Sequence, residues 1–343
     1  MTGPVSAGFV RQAGHCAAMG SPLTARVLRL LAEGLPPGPV ADRVLGWPGD
    51  ASSFGDAVAL RLAAGLHALV LSGADAALAA AYADPAASDA ALRLALAGAM
   101  AGHPAHLMRW LDSPPQTNEV RRSAVLIAAG HWLADRVGLP LVLSELGASA
   151  GLNLVWDHYA LDLAGGSFGP PQARLRLAPD WSGPVPPRRP PVVVARAGVD
   201  LNPLDPVADR LRLLSYIWAG QADRLARTAD AADLAAGFPG LVTRGDAVDW
   251  LEARLAAVVP GRLHLVFHTI AWQYLSAAAR QRGEALLAAA GARATAAAPL
   301  ARLAMEADDT PGSAAVTLTL WPGGRTVMLA RAGFHGQFVQ WLA

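Results

Sequence analysis

The hydrophobic pattern of the chain changes at Leu139, and this change constrains the fold more than any other feature of the sequence. From Ser21 to about Arg136, apolar residues recur at helical spacing between Pro/Gly segments, with no fixed repeat period. Helical runs are predicted there at 53–72, 74–83, 88–101, 104–112 and 117–137. From Leu139 onward, short apolar runs alternate with helical stretches, a pattern typical of a parallel sheet. We therefore expect a helical N-terminal domain over 1–136 and an α/β domain over 137–343.

Seven apolar runs predict the strands of the α/β domain, at 139–146, 192–201, 240–244, 263–270, 300–305, 316–321 and 326–330. Helical stretches at 206–236, 247–258 and 276–291 separate the middle runs. The last two runs are joined only by Pro322-Gly-Gly-Arg, which is too short for a parallel crossover, so they predict an antiparallel hairpin. The Gly/Pro-rich segment 158–191 is expected to be an insertion with short strands at 159–163 and 174–177.

The amino-acid composition limits the classes of protein to which the chain could belong. Of the 343 residues, 53% are hydrophobic and 16% are charged, which excludes an intrinsically disordered chain. A net charge of +1 gives no excess of basic residues, so nucleic acid is not an expected partner. The uncharged run 263–279 contains several polar residues and does not predict a membrane span. Cys16 is the single cysteine, and Met1-Thr-Gly-Pro lacks the features of a secretory signal, so we expect a cytoplasmic protein without an intramolecular disulfide.

The strongest local signal is Glu145-Leu-Gly-Ala-Ser-Ala-Gly-Leu-Asn153, which contains a glycine turn (residues 147–151). It follows a predicted buried strand and is expected to open a helix at about Ala150. Glycines allow the backbone to approach a ligand, and a helix N-terminus favours oxygen-rich or anionic groups. Glu145 lies at the carboxyl end of the strand, where a buried carboxylate is costly unless it binds something and where open α/β sheets bind their ligands. A purely structural tight turn is the alternative.

Two further carboxylates follow predicted strands in the same way. Asp200 ends the strand at 192–201, and Asp246 follows the strand at 240–244. Because adjacent strand ends lie about 5 Å apart, we expect Glu145, Asp200 and Asp246 to line one crevice. Each aspartate could instead be a helix N-cap, and for Asp246 the two interpretations are equally favoured.

These residues resemble those of S-adenosylmethionine-dependent methyltransferases. Glu145-x-Gly147-x-Ser149-x-Gly151 is similar to their first motif, in which an acidic residue and a glycine turn hold the methionine part of the cofactor. The resemblance implies that Asp200 binds the ribose hydroxyls and that Asp246 lies near the adenine amino group. It thus implies S-adenosylmethionine as cofactor, with these binding residues: Glu145, Gly147, Ser149, Gly151, Asn153, Asp200 and Asp246. Ser149 replaces the usual middle glycine, and Asp200 is reached only after the 158–191 insertion.

Over its whole length the chain resembles a bacterial family known as domain of unknown function 2332. The resemblance rests on the segments 116–123 (Gln-Thr-Asn-Glu-Val-Arg-Arg-Ser), 145–153, 199–205 and 267–269. The expected fold class is α/β, with a Rossmann-like, mostly parallel seven-stranded sheet that ends in an antiparallel hairpin and is capped by the helical domain. The expected function is methyl transfer from S-adenosylmethionine to a small molecule. The oligomeric state is not predicted.

The same turn is compatible with two other functions. Gly147-x-Ser149-x-Gly151 matches the nucleophile elbow of α/β-hydrolases, and Asp308 or Asp309 and then His335 follow in the order that a serine esterase requires. That fold, however, places several strands before the elbow, and the sequence shows no HGGG-type oxyanion loop upstream. The second alternative is a non-catalytic nucleoside-binding protein on the same fold.

Other polar residues could complete the site. His268 ends the fourth predicted strand and could act as a general base, or it could be a structural histidine. Trp272 and Tyr274 follow and could wall the substrate pocket. His264 and His268 lie in one strand, where four residues span about 13 Å, so no metal site is predicted.

The 116–123 segment precedes an apolar helix, and its residue types suit a helix cap. The alternative is that three of its side chains face the crevice and recognise substrate: Asn118, Glu119 and Arg122.

Overall fold

The computed structural model describes residues 3–343; Met1 and Thr2, part of the segment considered for a secretory signal, lie outside them. The chain forms two compact units. The first contains the residues up to Thr117 together with Ala208–Ala229, and the second contains Asn118–Val207 and Asp230–Ala343. The division differs from the expected boundary at 136/137 because the helix over Ser123–Val137 packs against elements of the second unit.

The helices are α1 (Pro4–Ala18), α2 (Pro22–Glu33), α3 (Pro39–Leu45), α4 (Val58–Leu71), α5 (Ala76–Ala83), α6 (Asp89–Gly102), α7 (Pro104–Asp112), α8 (Ser123–Val137), α9 (Arg210–Ser215), α10 (Ala222–Ala235), α11 (Ala247–Leu255) and α12 (Ala277–Arg293). Proline begins α1, α2, α3 and α7, where its missing N–H costs nothing. Most predicted helical runs are found with ends shifted by a few residues, but the run predicted over 206–236 is divided into α9 and α10, and α1 and α3 were not expected. Within residues 3–343 no single helix is long and apolar enough to cross a membrane; α4 and α5 meet that criterion only as a pair bent by 101°.

The first unit is helical, and its core is formed by aliphatic side chains of α2 and α4, among them Leu28, Leu31, Leu62 and Leu66. Residues 208–229 lie between two strands of the sheet in sequence but pack into this helical unit. One of their anchors is the Tyr216 hydroxyl, which donates to the Ser113 carbonyl (3.0 Å).

The strands are β1 (Leu141–Leu146), β2 (Ala160–Leu163), β3 (Gly166–Phe168), β4 (Arg176–Leu177), β5 (Asp180–Ser182), β6 (Val193–Asp200), β7 (Val242–Arg244), β8 (Leu263–Thr269), β9 (Leu300–Ala307), β10 (Ala314–Trp321), β11 (Arg325–Ala332) and β12 (Phe338–Trp341). In the part of the chain that the structure describes, nine of them form one sheet in the order β5-β12-β11-β10-β9-β8-β1-β6-β7. The mixed α/β class and the mostly parallel sheet are confirmed, and the predicted number of seven strands is wrong.

Two kinds of pairing make up this sheet. The neighbours from β7 to β9 are all parallel, whereas β9, β10, β11 and β12 are successively antiparallel. The expected hairpin of β10 and β11 is therefore present, but it belongs to a longer antiparallel meander. The insertion contributes β5 to the edge beside β12, and β2, β3 and β4 form a separate small sheet.

The strand order reverses at β1, and this positions the candidate site. β1 pairs with β6 on one side and with β8 on the other, so that Glu145 lies between Gly198 and Phe267. From β1 the chain continues to β6 and β7 in one direction, then returns to β8 and β9 in the other. Open α/β sheets bind ligands in the crevice that such a reversal leaves at the carboxyl ends of the strands.

Candidate functional site

Glu145 is a carboxylic acid inside the sheet without a complete set of partners. It lies next to the last residue of β1 and is 2% exposed, and its Oε2 atom has no hydrogen-bond partner among residues 3–343. Burial raises the pKa of Glu145 well above its usual value, the negative charge of Asp200 raises it further, and the Arg122 guanidinium opposes both. A buried carboxyl with a free acceptor is costly, which points to a ligand that supplies the missing contact.

The glycine turn does not offer its backbone amides to a ligand. Each N–H from residue 147 to residue 152 donates within the protein: Gly147 and Ala148 to the Val199 carbonyl, Ser149 to Asp200 Oδ2, Gly151 to the Ala148 carbonyl, and Ala150 and Leu152 to Asn118 Oδ1. The expected helix at Ala150 is also wrong, because a 3-10 helix over Leu152–His158 follows instead. The prediction that helix-terminal amides cradle a ligand therefore fails in this structure.

Packing explains the two glycines. Gly147 has a φ of +72°, and a Cβ there would lie 2.7 Å from the Cβ of Ala271, in the loop after β8. Gly151 has a φ of +73°, and a Cβ there would lie 3.1 Å from Val242 Cγ2. Only glycine adopts this conformation without strain and allows so close an approach. Their predicted contact with a cofactor is not needed to account for either residue.

Asp200 joins the end of β6 to the glycine turn. Its Oδ2 accepts from the Ser149 N–H (2.9 Å), and its Oδ1 accepts from the Asn202 N–H (2.9 Å). In the register of β1 and β6, Glu145 pairs with Gly198 and Leu146 with Val199, so Asp200 follows directly at the end of the neighbouring strand. The negative charge of Asp200 contributes to the raised pKa of Glu145. Asp246 is exposed and acts as the N-cap of α11, so the helix-cap alternative describes its geometry.

Residues of the 116–123 segment form hydrogen bonds with the glycine turn and with Asn153. Asn118 Oδ1 accepts from Ala150 N–H (3.2 Å) and Leu152 N–H (3.0 Å). Asn153, predicted to bind cofactor, instead accepts from the Ser123 hydroxyl (2.7 Å) and donates from Nδ2 to the Glu119 carbonyl (3.3 Å). The oxygen predicted to recognise substrate at Asn118 is thus used to shape the glycine turn.

Glu119 and Arg122 also make contacts within the second unit. Glu119 is 3% exposed, and its Oε1 accepts from the Arg121 N–H (3.1 Å). Arg122 donates from Nε to the Phe334 carbonyl and from Nη1 to the Thr269 carbonyl, both at 2.9 Å. Arg122 therefore links the start of α8, the end of β8 and the loop before β12. Substrate recognition by these residues stays a prediction.

His268 is fully enclosed in a polar network, and both ring nitrogens are engaged. Nδ1 bonds to Glu306 Oε1 (2.7 Å), and Nε2 accepts from Arg302 Nε (3.1 Å). Because Nε2 accepts from Arg302, the proton of the ring lies on Nδ1, which donates to Glu306. Burial lowers the pKa of His268, and Glu306 opposes this effect. A general base needs a free lone pair, and neither nitrogen provides one here. The contacts therefore weigh against the predicted general base.

The two aromatic residues after β8 differ. Trp272 is 8% exposed, stacks on His268 at 4.9 Å between ring centroids and belongs to the core. Tyr274 is 77% exposed. Trp272 therefore packs against the network of His268 and Glu306. Trp272 and Tyr274 do not together form the predicted pocket wall.

Sequence reasoning missed Glu306, the acid near the end of β9. Its Oε1 accepts from His268 Nδ1 and from the N–H groups of Ala271 and Trp272 (both 3.0 Å). Burial alone would raise the pKa of Glu306, but these bonds hold it below its usual value. The carboxylate thereby fixes the loop after β8, in which Ile270 has a φ of +52°. Its position at a strand end is the same signal that identified Glu145 and Asp200.

The residues of a serine-hydrolase site are not brought together. Ser149 Oγ is buried and has no hydrogen-bond partner in the described chain, hence no histidine. The Ala150 N–H, which would belong to an oxyanion hole, donates to Asn118. Asp308 is paired with Arg331 (Nη1–Oδ2, 3.0 Å). Among residues 3–343 no group of three His, Cys, Asp or Glu side chains could hold a metal ion.

A cavity of about 260 Å³ lies beside the glycine turn, lined by Ala150 and by residues 203–207, 235–236 and 238–242. Residues 203–207 follow shortly after Asp200, the last residue of β6. The cavity is slightly smaller than a typical drug-sized ligand site of about 300–1,000 Å³.

The chain was compared with known proteins. No curated protein and no solved structure matches it. A protein-family model described as "uncharacterized protein conserved in bacteria (DUF2332)" matches residues 6–341, nearly the whole chain. The protein therefore belongs to the DUF2332 family.

Proposed function

We propose that the protein binds S-adenosylmethionine at the carboxyl ends of β1 and β6 and transfers its methyl group to a small molecule. The observation that carries this proposal is Glu145, a buried carboxyl at the reversal of strand order whose Oε2 has no partner among residues 3–343. Asp200 adds a second carboxylate beside it. Both lie where an open α/β sheet binds its ligand.

The strand order supports a Rossmann-like assignment for half of the sheet. The five parallel strands β7-β6-β1-β8-β9 surround a reversal at β1, with helices in the connections after β7 and β8. The remainder departs from the methyltransferase pattern that the resemblance implies. β9 is followed directly by a meander without an intervening helix, and the turn after β1 leads into a 3-10 helix.

The two carboxyl groups at this position fit a cationic ligand better than an anionic one. S-adenosylmethionine carries positive charge on its sulfonium and its α-ammonium, and it supplies an activated methyl group. Glu145 and Asp200 offer negative charge, whereas the amides of the glycine turn, which would attract an anion, donate within the protein. An opposite charge close to a buried carboxyl favours its ionised form, so a cation would be bound with loss of the Glu145 proton.

Within this proposal each residue has a defined task. Glu145 binds the cationic portion of the ligand, and Asp200 accepts from the ribose hydroxyls. Asn118 and Asn153 hold the turn in place. The arrangement aligns the reactants, which is the main requirement of a displacement at a sulfonium methyl. The small-molecule acceptor and the cytoplasmic location remain predictions.

Calorimetric titration with S-adenosylmethionine and S-adenosylhomocysteine tests the proposal. The wild type is expected to bind both, and Asp200→Ala should weaken binding by about 1.5–3 kcal/mol, the usual range for hydrogen bonds to charged groups. Asp162→Ala is the matched control, because Asp162 is paired with Arg176 in the small sheet formed by the insertion. No heat of binding to folded wild type, or equal losses in the two variants, would contradict the proposal.

A serine hydrolase is the second candidate, favoured by one observation. Ser149 has a φ of +53° within a Gly-x-Ser-x-Gly turn after a strand, and strained serines occur at nucleophile elbows. Labelling of Ser149 by a fluorophosphonate probe would select this function. Binding of the nucleoside without turnover would select the non-catalytic alternative.

A further inference from the structure

The cavity of about 260 Å³ beside the glycine turn has stiff, mainly apolar walls. Three of its lining residues are prolines (203, 206 and 239), whose fixed φ restricts the backbone, and Leu204, Phe238 and Val242 contribute larger side chains. All of the lining belongs to the second unit. A ligand packed at the density of a protein interior, about 0.75, would fill roughly 200 Å³ of it, which corresponds to about ten to fifteen non-hydrogen atoms.

The charge around this cavity favours a cation. In the described chain Asp205 is the one charged residue among those that line it, and Asp205 is exposed to solvent. Its contacts include the Val207 N–H, which donates to Oδ1 (2.8 Å). Ala235, the last residue of α10, also lines the cavity, so the negative end of that helix dipole lies there. Both features attract a positive group and repel an anion.

The aromatic wall does not bring a competing positive charge. The Arg196 guanidinium lies 5.0 Å from the centroid of the Phe238 ring. That guanidinium is paired with Asp157 through two hydrogen bonds, of 2.6 and 2.9 Å. Because the Asp157 carboxylate compensates the charge of Arg196, the negative charge of Asp205 and of the helix end is not cancelled from this side.

We propose that this cavity is a second ligand site, which binds a small hydrophobic amine. The apolar body of the amine contacts Leu204, Phe238 and Val242, and its ammonium group lies at Asp205. Neither Glu145 nor Asp200 is among the described residues that line the cavity, so this site does not depend on the proposed cofactor site.

The second site shares two of its walls with the glycine turn. The Leu204 N–H donates to the Ser149 carbonyl (3.3 Å). Val242 packs against Gly151, where an added Cβ would lie 3.1 Å from Val242 Cγ2. A bound amine therefore rests on residues that also hold the turn in its conformation.

Three probes of similar shape test the charge preference. Phenethylamine, phenethyl alcohol and phenylpropanoate carry the same ring on a two-carbon linker and differ in charge. In ligand-detected NMR titrations of the wild type, the amine should bind with a dissociation constant of about 1 mM or below. The alcohol should bind about 3- to 10-fold more weakly, because an exposed ion pair and a helix end each contribute modestly, and the carboxylate should bind most weakly.

Four variants locate the site. Asp205→Asn should lose most of the preference for the amine and keep the affinity for the alcohol, which reports an intact cavity. Asp309→Asn, in the loop between β9 and β10, is the matched control and should behave as the wild type. Ala236→Trp and Val207→Trp each add volume at an exposed position of the wall, so both should abolish binding of all three probes.

Several results would overturn the inference. These are equal affinities of the three probes for the wild type, no binding of the amine to the folded protein, and unchanged binding in both tryptophan variants. Displacement of the amine by S-adenosylhomocysteine would assign the cavity to the proposed cofactor site and would also overturn it. If the protein does not bind S-adenosylhomocysteine but binds the amine as described, the proposed function is refuted and the second site stands.

Discussion

Asn118→Ala is expected to loosen the glycine turn. A single oxygen, Asn118 Oδ1, accepts from the N–H groups of Ala150 and Leu152, at 3.2 and 3.0 Å. Ala150 is 2% exposed and Leu152 is fully buried, so water does not readily replace the lost acceptor. A buried donor without a partner costs about 1–3 kcal/mol, which gives a loss of about 2–6 kcal/mol for the two amides together.

Urea unfolding and hydrogen exchange measure this effect. Asn118→Ala should lower the urea midpoint at an unchanged slope, and the amides of residues 150 and 152 should lose protection. Asn118→Asp is the matched control, because it keeps an acceptor oxygen at the same place and should retain most of the stability and the protection. A midpoint within experimental error of the wild type, or equal protection in the Ala variant, would refute the assignment of Asn118 to the turn.

Glu145→Gln should remove a pH dependence of stability. Because burial raises the pKa of Glu145, the folded protein keeps this proton while the unfolded chain ionises. The wild type therefore has its full stability below the ordinary glutamate pKa and loses stability as pH rises towards the folded-state pKa. Unfolding curves at several pH values measure this effect. An equal dependence of the unfolding free energy on pH in the wild type and in Glu145→Gln would contradict it. Glu306→Ala deprives three donors of one acceptor and should cost about 3 kcal/mol or more, with a changed Trp272 fluorescence; an unchanged urea midpoint would count against the network.

Local pattern was sufficient for the elements with a long apolar signal. The buried run Leu141–Leu146 and the apolar runs of β10 and β11 were identified because their pattern is encoded in neighbouring residues. β5 and β12 were missed because they contain three and four residues and pair with each other across more than 150 positions of sequence. Their register depends on tertiary packing, which a window of sequence does not contain.

The site was predictable where chemistry and position coincide. The positions of Glu145 and Asp200 at the ends of β1 and β6 could be predicted because each carboxylate follows an apolar run in the sequence. Their binding of a ligand stays a prediction. The contacts of Asn118, Asn153 and His268 were not predictable, since their partners lie about 30 to 40 residues away and are decided by packing. Their residue types fit ligand binding and structural capping equally well, so only the geometry separates the two.

The measurement that tests the central claim most directly is a crystal structure of the protein with S-adenosylhomocysteine. The proposed function predicts the ligand at the carboxyl ends of β1 and β6, with a nitrogen within hydrogen-bond distance of Glu145 Oε2 and the ribose hydroxyls on Asp200. Density for the ligand in another place, such as the cavity lined by Ala150 and residues 235–236 and 238–242, would contradict the claim, as would a covalent adduct on Ser149 after treatment with a fluorophosphonate.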